Sequence, residues 1–119
     1  MYQKIATEEA VWLASLQTEN GALLMTRGPN GKFTMNPYFA DFAALALLGA
    51  GESYYENVRR YMDWHFDHLN TAETDYNGLD GTIYDYTITL SNGKVVSEEI
   101  SINADGKKSY DSTDSYAAT

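Results

Sequence analysis

The stretch "NPYFADFAALALLGAG", residues 36–51, does most to restrict how this chain folds. Asn36 suits a helix N-cap and Pro37 the first helical position, where a missing N–H costs nothing. Gly49 and Gly51 mark the end. Between Pro37 and Ala50 only Asp41 carries charge, while Tyr38, Phe39, Phe42, Leu45, Leu47 and Leu48 cover the whole circumference. A short helix that is apolar all round needs neighbours on every side. The pattern predicts an inner helix over residues 37–50.

Its flanking segments are amphipathic. Ile5, Trp12, Leu13 and Leu16 recur at helical spacing, and Thr7, Glu8 and Glu9 enrich the first turn, so a helix is predicted over residues 5–17. Ser53 and Glu56 read as a capping box that opens a third helix over 53–69. Tyr54, Val58, Tyr61, Met62, His65 and Leu69 form its buried stripe; Glu56, Arg59, Arg60, Asp63 and Asp67 face water. Trp64 and His65 read as core. The expected order is outer, inner, outer. Residues 18–35, broken by Asn20-Gly21 and by Gly28-Pro29-Asn30-Gly31, read as a long connection with short extended pieces.

Beyond a turn-rich stretch, "TIYDYTITL" and "KVVSEEISI" predict a β-hairpin over residues 82–102, joined by Ser91-Asn92-Gly93. Tyr84, Tyr86, Ile88 and Leu90 share one face of the first strand, Val96, Ile100 and Ile102 one face of the second. Even positions must then oppose even positions. A three-residue loop achieves this, pairing Leu90 with Lys94, Ile88 with Val96 and Tyr84 with Ile100; a two-residue Asn-Gly turn wastes the apolar face. The chain closes on "DSTDSYAAT", the opening of a helix over 111–119.

The 17 acids and 8 bases give a formal charge of −9, which repels phosphate backbones and anionic lipid and excludes nucleic acid and membrane surfaces as partners. With no cysteine, disulfides, thiolate metal sites and a cysteine nucleophile are excluded. No apolar run approaches the roughly 18 residues of a membrane helix and no signal peptide is seen, so the chain as it stands reads as soluble and cytoplasmic, while its native compartment stays open. "DYNGLDG" lacks the ligand spacing of an EF-hand and reads as turn chemistry, so no metal site and no cofactor is expected. The serines near 112–115 have neither a nearby base nor nucleophile-elbow glycines.

The segments "PYFADFAALALL", "YMDWHFDHLN", "GLDGTIYDY" and "YDSTDSYAAT", collinear over most of the chain, resemble the N-terminal part of bacterial six-hairpin glycosidase-like proteins. That resemblance implies a mainly α fold: helical hairpins of a partial (α/α)6 toroid with an inserted β-hairpin, residues 1–119 forming one partial domain. It further implies a fragment of a carbohydrate-active protein, a glycoside hydrolase-like enzyme using carboxylates at the inner-helix rim, the fragment itself being inactive. Asp114 and then Asp111 are the candidate catalytic acids, since paired carboxylates at a cleft do the work of glycoside hydrolysis. A D-x-x-D at a helix start also serves capping. Tyr38, Asp85 and Tyr86 are candidate substrate-binding residues for a carbohydrate ligand, aromatic faces stacking on sugar rings, although alternating tyrosines on a strand also simply pack. The rival reading is a non-catalytic helical module that binds sugar or protein, and exposed apolar helix faces would favour a homodimer.

Overall fold

A computed structural model describes residues 2–24, 26–27, 29–102 and 105–109. Three helices, α1 (Tyr2–Ser15), α2 (Pro37–Ala50) and α3 (Tyr55–Asp67), pack beside an antiparallel sheet of β2 (Lys32–Met35), β3 (Tyr86–Ser91) and β4 (Lys94–Ile100), and the two-residue β1 (Thr26–Arg27) adds to the β2 edge. Among the described residues no helix is long and apolar enough to cross a membrane. The predicted start of a helix at 111–119 lies outside the described residues.

The mainly α partial toroid with an inserted hairpin is therefore corrected to a mixed α/β unit. Its cause lies in residues 18–35, which supply strands rather than a plain connection. In Lys32-Phe33-Thr34-Met35 the polar residues are exposed, Phe33 is half-buried and Met35 is buried, the two-residue period of a strand lying on a core. Met35 pairs with Tyr86 and Lys32 with Thr89, so β3 is hydrogen-bonded on both sides and the hairpin is part of a larger sheet, with β4 at its edge. Backbone donors that a helical layer leaves open are satisfied here by a third strand.

The hairpin's register differs from the expected one in an instructive way. Asn92 (φ 52°) and Gly93 (φ 78°) form a two-residue turn that places Ser91 opposite Lys94 and Leu90 opposite Val95. A bulge between Thr89 and Leu90 then shifts the ladder, so that Thr89 meets Ser97, Ile88 meets Glu98 and Tyr86 meets Ile100. Even positions oppose even positions after all. The bulge restores that parity two residues away from the expected pairs, with Ile88 opposite Glu98 and not Val96, and Ile100 opposite Tyr86 and not Tyr84; Val96 and Ile102, expected on the inner face, are exposed.

Among the helices, α2 keeps its predicted bounds because Asn36 Oδ1 accepts the N–H groups of Tyr38 (2.9 Å) and Phe39 (3.4 Å) and Pro37 needs no partner. In α1 the helix begins at Tyr2, ahead of the predicted residue 5, and Trp12, expected on the buried stripe, is 60% exposed. At α3 the capping box does not form: residues Glu52–Tyr54 make a 3-10 turn, and the α-helical part starts at Tyr55 without a side-chain cap. Tyr61, Trp64 and His65 are its buried residues.

The core joins Leu23, Met35, Leu47, Tyr61, Trp64, Ile83, Tyr84 and Ile88, drawn from both layers. The loop after α1 is clamped to α3 by polar groups. Gln17 Nε2 donates to the Asn57 carbonyl at 2.8 Å, Asn57 Nδ2 donates to Gln17 Oε1 at 2.8 Å, and Arg60 donates to the carbonyls of Thr18 and Glu19 at 3.1 and 2.6 Å. Gly21, at φ 103°, makes this approach possible, for a Cβ there would stand 2.3 Å from the Arg60 carbonyl oxygen. Gly21→Ala therefore combines a left-handed backbone with a backbone clash and is expected to cost about 2 kcal/mol or more. Chemical denaturation measures it; a loss within 0.5 kcal/mol of zero, about the scatter for surface changes, contradicts the clamp.

Candidate functional site

The sequence-predicted candidates do not gather around one cleft. Asp111 and Asp114 lie outside the described residues. Tyr38, half-buried in the first turn of α2, meets Phe39 and Phe42 edge-on, with ring centroids 5.3 and 5.0 Å apart. Asp85 is buried and acts as a strut: its N–H donates to the Ser109 carbonyl (2.8 Å), its carbonyl accepts from the Ser101 N–H (2.9 Å), and Oδ2 accepts from the Ser109 hydroxyl (3.3 Å). Tyr86 is buried edge-on against the stacked rings of Trp64 and His68, at 5.5 and 5.2 Å, and burial, with Glu98 and Tyr84 nearby, raises its phenol pKa. A ring so enclosed packs and offers no face to a sugar.

Two further clusters explain other residues. Asp75 organises "DYNGLDG" by accepting the N–H groups of Asn77 (2.9 Å) and Leu79 (3.0 Å) on Oδ2 and the Thr82 hydroxyl (2.7 Å) on Oδ1. That is turn chemistry. Glu98 of β4 accepts Asn20 Nδ2 at 2.7 Å and Trp64 Nε1 at 2.8 Å, with His68 Nε2 3.5 Å away, so one carboxylate ties loop, helix and sheet. Among the described residues no group of three His, Cys, Asp or Glu is placed to hold a metal ion.

The most unusual chemistry lies between α2 and α3. Asp41, the one charged residue of α2, turns inward, and Tyr61 and His65 stand one turn apart on the facing side of α3. The Tyr61 hydroxyl donates to Asp41 Oδ1 at 2.6 Å; His65 Nδ1 is 3.2 Å from Tyr61 Oη and 3.5 Å from Asp41 Oδ1. Because the single Tyr61 proton goes to Asp41, the His65–Tyr61 bond needs its proton from Nδ1. The imidazole is then the Nδ1–H tautomer, and Nε2 is an acceptor. His65 is fully buried, and Nε2 has no hydrogen-bond partner among the described residues. Leaving a buried acceptor unpaired costs roughly 1–3 kcal/mol, so such an atom calls for a reason.

A groove of about 310 Å³ runs over this cluster, lined by Asp41, Ala44, Leu45, Leu48, Val58, Met62 and His65. A second of similar size, on the other flank of α2, is lined by residues of α1 and the following loop together with Phe39, Phe42, Ala43 and Ala46. Between them the outward face of α2 stands open: Phe39 is 52%, Phe42 50%, Leu45 58% and Leu48 46% exposed. The inner helix enclosed on every side, as expected from its composition, is instead a surface helix buried through Pro37, Ala40, Asp41, Ala44 and Leu47. His65, expected as core, is buried, and Asp41, the one charge expected in α2, is its partner. A lone acid in an apolar helix, with a Tyr–His pair at helical spacing on the next helix, was the signal for this cluster.

Comparison of the chain with protein families, curated proteins and solved structures finds no match. The geometry alone carries the functional reading.

Burial holds the His65 imidazole below its ordinary pKa of 6.5, outweighing the attraction of Asp41, and His68 pushes the same way as burial. The folded state thus resists a proton that the unfolded chain accepts. Above 6.5 both states are neutral at this site; as pH falls below 6.5 the unfolded state gains protons first, and stability declines until the folded pKa is passed. Denaturation midpoints measured from pH 8 to 5 should fall in that window, and the fall should shrink in His65→Gln. An equal decline in both proteins assigns it elsewhere.

Proposed function

We propose that this unit is a docking module for a helical protein surface, received on the outward face of α2. One observation carries the reading: Phe39, Phe42, Leu45, Ala46, Gly49 and Ala50, the arc of α2 turned to solvent, includes no charged or hydrogen-bonding side chain. A surface helix of a free-standing domain is polar on that side. Grooves on both flanks of the ridge suit interdigitating side chains, as between packed helices. Charge selects the partner. Glu9 of α1 lines a shallow hollow beside Ala46, Gly49 and Ala50, and the whole chain carries −9, so the favoured occupant has an apolar stripe flanked by Lys or Arg. A second copy brings another −9 to the contact and is disfavoured.

A second reading rests on the half-open aromatic group Tyr38, Phe39 and Phe42, whose faces suit sugar rings. It accords with the carbohydrate ligand that the sequence resemblance implies, hydrolysis falling to Asp114 and Asp111 in a longer glycosidase-like protein. Oligosaccharide binding weakened at least tenfold by Tyr38→Ala supports this reading over the first.

A synthetic amphipathic peptide with a leucine stripe flanked by lysines tests the docking surface. It is expected to bind, to bind at least tenfold more weakly to Phe42→Glu, and to lose most of its affinity when its lysines are replaced by glutamates. Sedimentation of the free protein checks the other occupant: dimerisation abolished by Phe42→Glu makes the face a self-contact. No binding and no dimer overturn the proposal.

A further inference from the structure

The α2–α3 groove has a property that protein docking does not explain. Ala44, Leu45, Leu48, Val58 and Met62 make its walls apolar, yet Asp41 and His65 are also among its lining residues, and Nε2 of His65 is buried without a partner among the described residues. The Asp41–Tyr61–His65 chain supplies the reason that nitrogen is an acceptor: each proton in the chain is already committed toward Asp41. We infer that this groove, after a small shift of the side chains that cover His65, is a binding site for a small, uncharged, mainly apolar molecule bearing one hydroxyl, which donates its hydrogen bond to His65 Nε2.

Each part of the ligand class follows from a part of the site. The apolar walls favour an aryl or alkyl body, and a volume of about 310 Å³ admits a bicyclic ring. A sugar, with hydroxyls on every side, leaves most of its donors unpaired against Leu45, Leu48, Val58 and Met62. Of the other polar groups near the groove, Asp41 already accepts from Tyr61, and the Tyr61 proton is engaged there. A carboxylic acid places an anion beside Asp41 and is refused on charge. An apolar molecule with no hydroxyl leaves Nε2 unpaired and gains nothing from it. The hydroxyl group is thus the recognition element, and the positioning of His65 by Tyr61 keeps the accepting tautomer in place.

Three probes separate these alternatives: 2-naphthol, 2-methylnaphthalene and 2-naphthoate. Calorimetry should show 2-naphthol binding about tenfold more tightly than 2-methylnaphthalene, the usual worth of one hydrogen bond to a buried group, with 2-naphthoate weakest. Long-range proton–nitrogen correlation spectra of the imidazoles should identify Nε2 of His65 as the non-protonated nitrogen and show its resonance moving with 2-naphthol and not with 2-methylnaphthalene. Met62→Trp, which fills the groove without touching the Asp41–Tyr61–His65 chain, should abolish binding of all three, whereas Phe42→Glu, which disables the docking face, should leave 2-naphthol binding unchanged. Equal affinity for naphthol and methylnaphthalene, no binding at millimolar probe, or a protonated Nε2 overturns the inference whatever becomes of the docking module.

Discussion

The bond from Tyr61 to Asp41 is where the architecture turns. A carboxyl group inside an apolar helix must meet a donor when it is buried, because an unpaired one costs several kcal/mol. Tyr61 meets it at 2.6 Å from α3, with His65 completing the chain. Once Asp41 faces α3, the rotation of α2 about its axis is decided. Ala40 and Ala44, on the same side, let the helices approach closely, and Phe39, Phe42 and Leu45 are carried to the outside.

That rotation has an energetic consequence. Fully burying a Phe or Leu side chain is worth about 1.5–3 kcal/mol, so leaving three of them half in water forgoes roughly 2–4 kcal/mol. For a small domain this is a large part of its net stability. The docking proposal and the exposed ridge are two views of one fact: the geometry that satisfies the buried polar chain leaves an apolar surface that another surface can cover. The same chain leaves Nε2 of His65 buried without a partner among the described residues, in a side chain that lines the groove, so the proposed binding and the folding share a single set of residues.

On the other side of α3 the polar groups are settled among themselves. Glu98 receives Trp64 and Asn20, Arg60 and Gln17 bind the loop after α1, and Asp75 binds its own turn. These contacts fasten sheet to helix and make no opening. The unit therefore has a closed, sheet-bearing side and an open, helical side.

Local chemistry was legible wherever neighbours in the chain decide it. Asn36-Pro37 and Gly51 bound α2 correctly because a cap and a proline act within one turn, and the parity of the hairpin followed from its alternating tyrosines and isoleucines. The alternation in Lys32-Phe33-Thr34-Met35 was also present, but four residues carry too little periodicity to stand out from a loop, and a strand exists only when another strand pairs with it. What the amino acids settled unaided was a helix with a single charge, an acidic and cysteine-free chain, and the pairing of even with even positions along most of the hairpin. Whether that helix lies inside or outside, whether Asp41 meets water or Tyr61, and whether the hairpin stands alone or joins β2 depended on partners far away in sequence, for burial and hydrogen bonding are properties of an assembled neighbourhood and not of a segment.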